Sequence, residues 1–150
     1  LELDAGVKSD SAPVNGLIKK MTRSSRRIRI MRDPTRGGVG TTLCEFVRSG
    51  RFGIALAEGA IPVSRGTAAA CELLGYDPLY LACEGRVVAI ADARDARAIL
   101  RAMRGHPLGR RAAVIGTVAK EHAGKVYLET RSGGRRLVDM LPGEQLPRIC

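Results

Sequence analysis

The sequence predicts an α+β sandwich, and three observations carry that prediction. Apolar residues recur at helical spacing in three separate stretches, and a capped fourth helix is bounded by Ser64 and Gly75. Short β-rich runs come in pairs joined by tight turns. These pairs do not form the regular strand-helix-strand succession of a parallel sheet. The length of 150 residues suits one domain. Hydrophobic residues are 45% and charged residues 27%, ordinary globular usage that excludes disorder along the whole chain. No apolar run approaches the roughly 18 residues of a membrane span. The chain starts at Leu1 without a basic-then-apolar leader, so it reads as a processed protein or, preferably, a piece of a longer one. There is no internal repeat and no low-complexity segment.

The elements follow in order. Residues 1–12 are polar and without period. Val14, Leu17, Ile18 and Met21 predict a helix over Pro13–Met21. Alternation around Ile28 and Ile30 predicts a strand over Arg27–Arg32. Asp33-Pro34-Thr35-Arg36-Gly37-Gly38 breaks it, because proline fixes φ and glycine permits positive φ. A helix with Val39, Leu43, Phe46 and Val47 on one face follows and ends before Gly50. Phe52–Ala57 reads as a strand. Ser64 caps a helix that runs through Ala68–Leu74 and stops at Gly75. Leu79–Cys83 and Arg86–Ala91 read as strands flanking a bend at Glu84-Gly85. Ala93–Arg104 is an amphipathic helix with Ala96, Ile99, Leu100 and Met103 inward. Ala112–Val118 and Lys125–Thr130 read as strands about a turn at Glu121–Gly124, with a further strand over Arg136–Met140. Leu141–Cys150 holds two prolines and no period, and reads as an extended tail.

The formal net charge is +10, and Lys19–Arg36 alone carries eight Lys and Arg against one Asp. Such a cluster suits an anionic partner, phosphate of any kind included. Nucleic acid is poorly supported, because stacking platforms need aromatics and these are 3%, without Trp. A solvated basic face is the plainer reading of most of these side chains. Cys44, Cys71, Cys83 and Cys150 show neither zinc nor redox spacing. Cys44 and Cys71 read as small buried hydrophobes, and a reducing cytoplasm is the default compartment.

Two places could carry chemistry. The loop Arg32–Gly40 joins a strand to a helix start, where backbone N–H groups and glycines accept an anion. Arg32 and Arg36 could grip phosphate oxygens, and Thr35 could donate a hydroxyl. It is not a Walker A loop, since the lysine and its spacing are absent. A purely structural glycine turn is the common alternative. The second place is the tail Pro142–Cys150, where a terminal thiol could enter a distant site and leave again. Pro147 would stiffen its approach and Arg148 would favour thiolate. An incidental exposed cysteine accounts for the tail equally well. Glu84 is either a partly buried carboxylate with the raised pKa of a general base, or a solvent-facing turn residue. His106 and His122 read as surface histidines, and no metal-ligand spacing occurs.

Taken together, Ser9–Leu17, Met31–Gly38, Ala70–Ala82 and the terminal Gly143-Glu144-Gln145-Leu146-Pro147-Arg148-Ile149-Cys150 resemble the C-terminal half of the HypE family of hydrogenase maturation factors. That family lies within the AIR synthase-related (PurM-like) superfamily. The resemblance spans nearly the whole chain, and the terminal Pro-Arg-Ile-Cys is its most specific part. It implies a layered α/β sandwich with a mixed, mainly antiparallel sheet over residues 1–140, and a mobile tail over 141–150. It also implies an absent N-terminal domain that dimerises and holds most of the ATP and Mg2+.

The implied function is the making of the cyanide ligands of [NiFe]-hydrogenase. HypF carbamoylates Cys150, ATP-dependent dehydration turns the carboxamide into a thiocyanate, and cyanide passes to iron on a HypC–HypD complex. On this resemblance Cys150 and Glu84 are catalytic. Arg32, Asp33, Thr35, Arg36, Gly37 and Gly38 lie near the phosphates, and Pro147, Arg148 and Ile149 position the tail. Neither nucleic acid nor a membrane is implied. Cys83 stands where the family often has asparagine, so that position offers no amide hydrogen bond. Rival readings are another PurM-like synthetase of purine, thiamine or selenophosphate metabolism, or a basic nucleic-acid-binding module.

Overall fold

The computed structural model describes residues 9–141 and 143. Helix α1 (Asn15–Ser24) buries Leu17 and Met21, two members of the predicted stripe. Strand β1 (Ile28–Arg32) leads through the Pro34 loop into α2 (Gly38–Val47), which buries Leu43 and Val47. Strand β2 (Gly53–Ala57) precedes α3 (Arg65–Leu74). The Ser64 hydroxyl accepts the Thr67 N–H at 3.1 Å, and Gly75 ends α3 at φ 70°. Strand β3 (Val88–Ala91), helix α4 (Ala96–Arg104) and strands β4 (Gly116–Ala119), β5 (Val126–Glu129) and β6 (Arg135–Val138) complete the chain.

The strands form two sheets. β1 and β3 pair antiparallel. The larger sheet has the order β4-β2-β5-β6, antiparallel except for the parallel β2–β5 pair. The mixed, mainly antiparallel architecture is as expected. Leu43, Val47, Ile54, Leu56, Val126 and Leu128 centre the main core between α2 and the larger sheet. Leu17, Met21 and Ile99 centre a second core under α1 and α4. The small sheet lies between the two: Val88 and Ile90 pack on the first, Ala89 and Ala91 on the second. Each fully buried aliphatic side chain contributes about 1.5–3 kcal/mol.

Two expected strands differ. Leu79–Cys83 is not extended. Pro78–Tyr80 is a 3-10 turn in which the Asp77 carboxylate accepts the Leu79 N–H at 2.9 Å. Leu79 and Tyr80 are buried there, so an apolar run that looked like a strand is a turn pressed into the core. Residues 112–115 are also outside β4. The Ala112 N–H donates to the Gly109 carbonyl, and the Arg104 guanidinium binds the Ala112 carbonyl, both at about 3 Å, which delays the strand to Gly116.

The contact that positions the rest is backbone against backbone. A Cβ on Gly38 would lie 2.5 Å from the Leu79 carbonyl oxygen and 2.6 Å from that of Leu81. One on Gly40 would lie 2.8 Å from the Tyr80 ring. Gly38 and Gly75 have similar positive φ, 62° and 70°, but Gly75 faces open space. Gly75→Ala should therefore cost only the left-handed penalty of about 1–2 kcal/mol. Gly38→Ala should exceed it by about 1–3 kcal/mol through overpacking. Urea unfolding of the two variants measures the difference, and equal losses would refute the tight packing.

Candidate active site

The site is built where α2 begins. Pro34 is fully buried and its carbonyl accepts the Cys83 N–H at 3.0 Å, which ties the loop after β1 to the bend bearing Glu84. Gly37 (φ 66°) is the N-cap of α2 and has no side-chain cap bond; its Cβ would meet Thr41 Oγ1 at 2.2 Å. The helix N-terminus thus stays open, with its positive dipole end unblocked.

A cavity of about 390 Å3 opens beside it, lined by Arg32, Arg36, Gly37, Thr41, Glu45, Leu141 and Gly143. The sequence reading supplied Arg32, Arg36 and Gly37. Asp33 and Thr35 do not line the cavity, and Gly38 is turned inward against the Leu79 and Leu81 carbonyls. Thr41 and Glu45 were missed, although Gly37, Thr41 and Glu45 recur every four residues and so share one helix face. Glu45 forms an ion pair with Arg32 across the cavity. That pairing fixes one guanidinium and leaves Arg36 exposed.

Glu84 is exposed, so the solvent-facing alternative describes it here and the partly buried one does not. Its bend is held firmly all the same. A Cβ on Gly85 would strike the Asp10 carbonyl oxygen at 1.7 Å, and Arg86 Nε donates to Asp10 Oδ2 at 3.1 Å. Cys83 is half-buried, its thiol donates to the Leu81 carbonyl, and burial pushes its pKa up.

The far side of the cavity is the exit of β6. The Tyr80 hydroxyl donates to the Asp139 carbonyl at 2.8 Å, and the Cys44 thiol to the Val138 carbonyl at 3.1 Å. Leu141 and Gly143 then run along the cavity, so the tail is rooted at the site. Pro147, Arg148, Ile149 and Cys150 lie outside the described residues. Cys71 is buried, as expected, whereas Cys44 is only half-buried. The basic stretch of residues 19–36 does not form one patch: Lys20 binds the Gly105 carbonyl, Arg27 pairs with Asp95 and Arg32 with Glu45.

His106 is half-buried and its Nδ1 accepts the Leu108 N–H, while His122 is exposed in a left-handed turn at φ 53°. Among the described residues, no three His, Cys, Asp or Glu side chains converge to hold a metal ion. No helix among them is long and apolar enough to cross a membrane.

The layered α+β body thus opens a glycine-capped helix onto a cavity lined by Arg32 and Arg36. Residues 2–129 match the AIR synthase related protein, C-terminal domain, and the chain belongs to that family. It is 53% identical to the carbamoyl dehydratase HypE of Cupriavidus necator over all of this chain and 43% of that protein. It superposes on a crystal structure of the hydrogenase maturation protein HypE in complex with ATP with TM-score 0.91. That match has 42% identity and covers 100% of this chain and 46% of the other. A HypE–HypF complex structure matches with TM-score 0.88 and 38% identity, over 94% of this chain and 46% of that one. The chain thus spans less than half the length of these relatives.

Cys44 provides a check on the packing of α2 against the exit of β6. Burial, aided by Asp139 and Glu45, pushes its thiol up to about 11. The unfolded thiol ionises first, near pH 9, so the fold loses stability as pH rises from about 9 towards 11. Chemical denaturation across that range should show this decline, and Cys44→Ala should flatten it. An unchanged slope in the variant would remove Cys44 as its source.

Proposed function

We propose that this chain is the C-terminal domain of an ATP-dependent carbamoyl dehydratase that makes the cyanide ligand of [NiFe]-hydrogenase, with Cys150 as the covalent carrier of the substrate. The observation that carries this reading is the rooting of the tail. Leu141 and Gly143 share a cavity with Arg32, Arg36 and Gly37, and the sequence beyond ends in Pro-Arg-Ile-Cys. The seven residues after Gly143 span at most about 23–25 Å when extended. That length brings a terminal sulfur within reach of the cavity and of a docked partner. Residues 1–140 then serve as the body and 141–150 as the delivering arm.

In the reaction, an S-carboxamide on Cys150 and ATP give an S-cyanide, ADP and phosphate. The carboxamide oxygen attacks the γ-phosphorus and displaces ADP while the nitrogen loses one proton. Loss of its second proton expels phosphate and forms the C≡N bond. Phosphorylation is needed because oxide and hydroxide are poor leaving groups. Glu84 is the proposed base for the nitrogen, and its tethered bend holds it at a fixed height beside the loop. Arg36 and Arg32 offset charge on the transferred phosphoryl group, whereas Thr35, which does not line the cavity, has no part in holding it.

Thiol attachment gives the carboxamide a high effective concentration at the site. HypF is the proposed carbamoyl donor enzyme, a HypC–HypD complex the recipient of cyanide, and the cytoplasm the compartment. The remaining, N-terminal part would hold most of the nucleotide and form a homodimer, so the isolated domain should be inactive alone. Mg2+ would be held together with the nucleotide, mostly by that N-terminal part.

Mass spectrometry of the full-length protein tests this. With HypF and carbamoyl phosphate, Cys150 should gain a carbamoyl group, and ATP should then remove one water. Cys150→Ala should abolish both changes. Glu84→Gln should keep the adduct and slow its dehydration about 10²–10⁴-fold. Normal dehydration in that variant would exclude Glu84 as the base, and an unmodified Cys150 would refute the reading.

A further inference from the structure

The net charge of this chain is sharply segregated. Residues 19–27 and 92–111 hold eleven Lys and Arg against two Asp, which is nine of the ten net positive charges. The remaining 121 residues are close to neutral. These two stretches supply the C-terminal half of α1, all of α4 and the turns that follow them, and the two helices pack side by side on the second core. The layer is rigidly tied. Lys20 Nζ donates to the Gly105 carbonyl at 2.8 Å, and Arg104 Nε to the Ala112 carbonyl at 3.0 Å.

Both aspartates are already engaged, Asp95 with Arg27 and Ser25, and Asp92 with Arg94. Lys19, Arg23, Arg97, Arg101, Arg110 and Arg111 are exposed and form no ion pair among the described residues. Lys19 and Arg23, and Arg97 and Arg101, stand four apart on their helices, where like charges repel. Folding gains nothing from that arrangement. None of the cavity-lining residues belongs to it.

We propose that the α1–α4 face is a docking surface for a complementary acidic face on the carbamoyl-transferring partner protein. The proposal rests on the function given above, in which a second protein must modify the tail. Such a partner needs a hold on the body of the domain that leaves the cavity and the arm free, and this face provides one. The two stretches contain no Phe, Tyr or Trp on which a single strand could stack. Of their large apolar side chains only Leu108 is exposed, which gives a bilayer little to take in. Arginine supplies nine of the eleven cations, the residue type enriched at protein interfaces where lysine is depleted. Opposed charge of this density steers encounter and raises the association rate.

The test uses full-length protein and purified HypF from the same source. Arg23→Glu/Arg97→Glu/Arg101→Glu should slow association on the order of tenfold and lower its salt dependence. The corresponding triple lysine variant should retain most of the rate. Arg48→Glu/Arg51→Glu, elsewhere on the exposed surface, should leave it unchanged. Unaltered association in the triple glutamate variant would overturn the proposal. So would loss of homodimer assembly with HypF affinity intact, which would assign the face to the rest of the same protein. Displacement of HypF by short duplex DNA at matched phosphate concentration would assign it to nucleic acid. Carbamoylation of wild-type Cys150 separates the two readings: if HypF modifies it, and the glutamate variant with unchanged KM, only the surface fails. If wild type is never modified, the function fails with it.

Discussion

The close approach of α2 to the Pro78–Leu81 segment is the constraint on which the rest of the site depends. Glycine at 38 and 40 lets a helix backbone meet the Leu79 and Leu81 carbonyls and the Tyr80 ring with no side chain between. From that contact three connections radiate. Tyr80 holds the Asp139 carbonyl and so the exit of β6. Cys83, just beyond Leu81, holds the Pro34 carbonyl and so the loop after β1. The same short segment leads directly into the Glu84 bend. The loop of Arg32 and Arg36, the Glu84 carboxylate and the exit of β6 are therefore fixed by one packing event.

The electrostatics of the cavity follow from that geometry. Arg32 ends β1 and Glu45 lies two turns into α2, so their pairing spans the cavity mouth and orients one guanidinium without neutralising the other. Arg36, on the loop between them, keeps its charge available. The neighbouring thiols and the Tyr80 phenol are shifted in the opposite sense, towards their neutral forms, by burial.

Much of this was legible in the residues, for identifiable reasons. Helices α1, α2, α3 and α4 each announce themselves by spacing or by a cap such as Ser64 or Gly75. The loop of Arg32, Arg36 and Gly37 is punctuated by its own proline and glycines. The turn at Pro78–Tyr80 was hidden, because a short buried apolar run reads the same whether it is extended or coiled. Sheet order was hidden too, since no local pattern marks the parallel pairing of β2 with β5. The reason for two glycines was only half visible: a phosphate approach and a backbone approach ask for the same residue, and at Gly38 the structure shows the second. Thr41 and Glu45 carry no local mark, because polar residues on the partly exposed face of an amphipathic helix are ordinary.

The central place of β2 has a consequence for how the protein is made. Both of its neighbours, β4 and β5, are encoded far downstream, so on the ribosome Gly53–Ala57 emerges with two unsatisfied edges. About seventy residues must follow before β5 is available, which takes roughly 4–14 s at ordinary elongation rates. Through that interval a small apolar strand with both edges open is a template for the wrong partner.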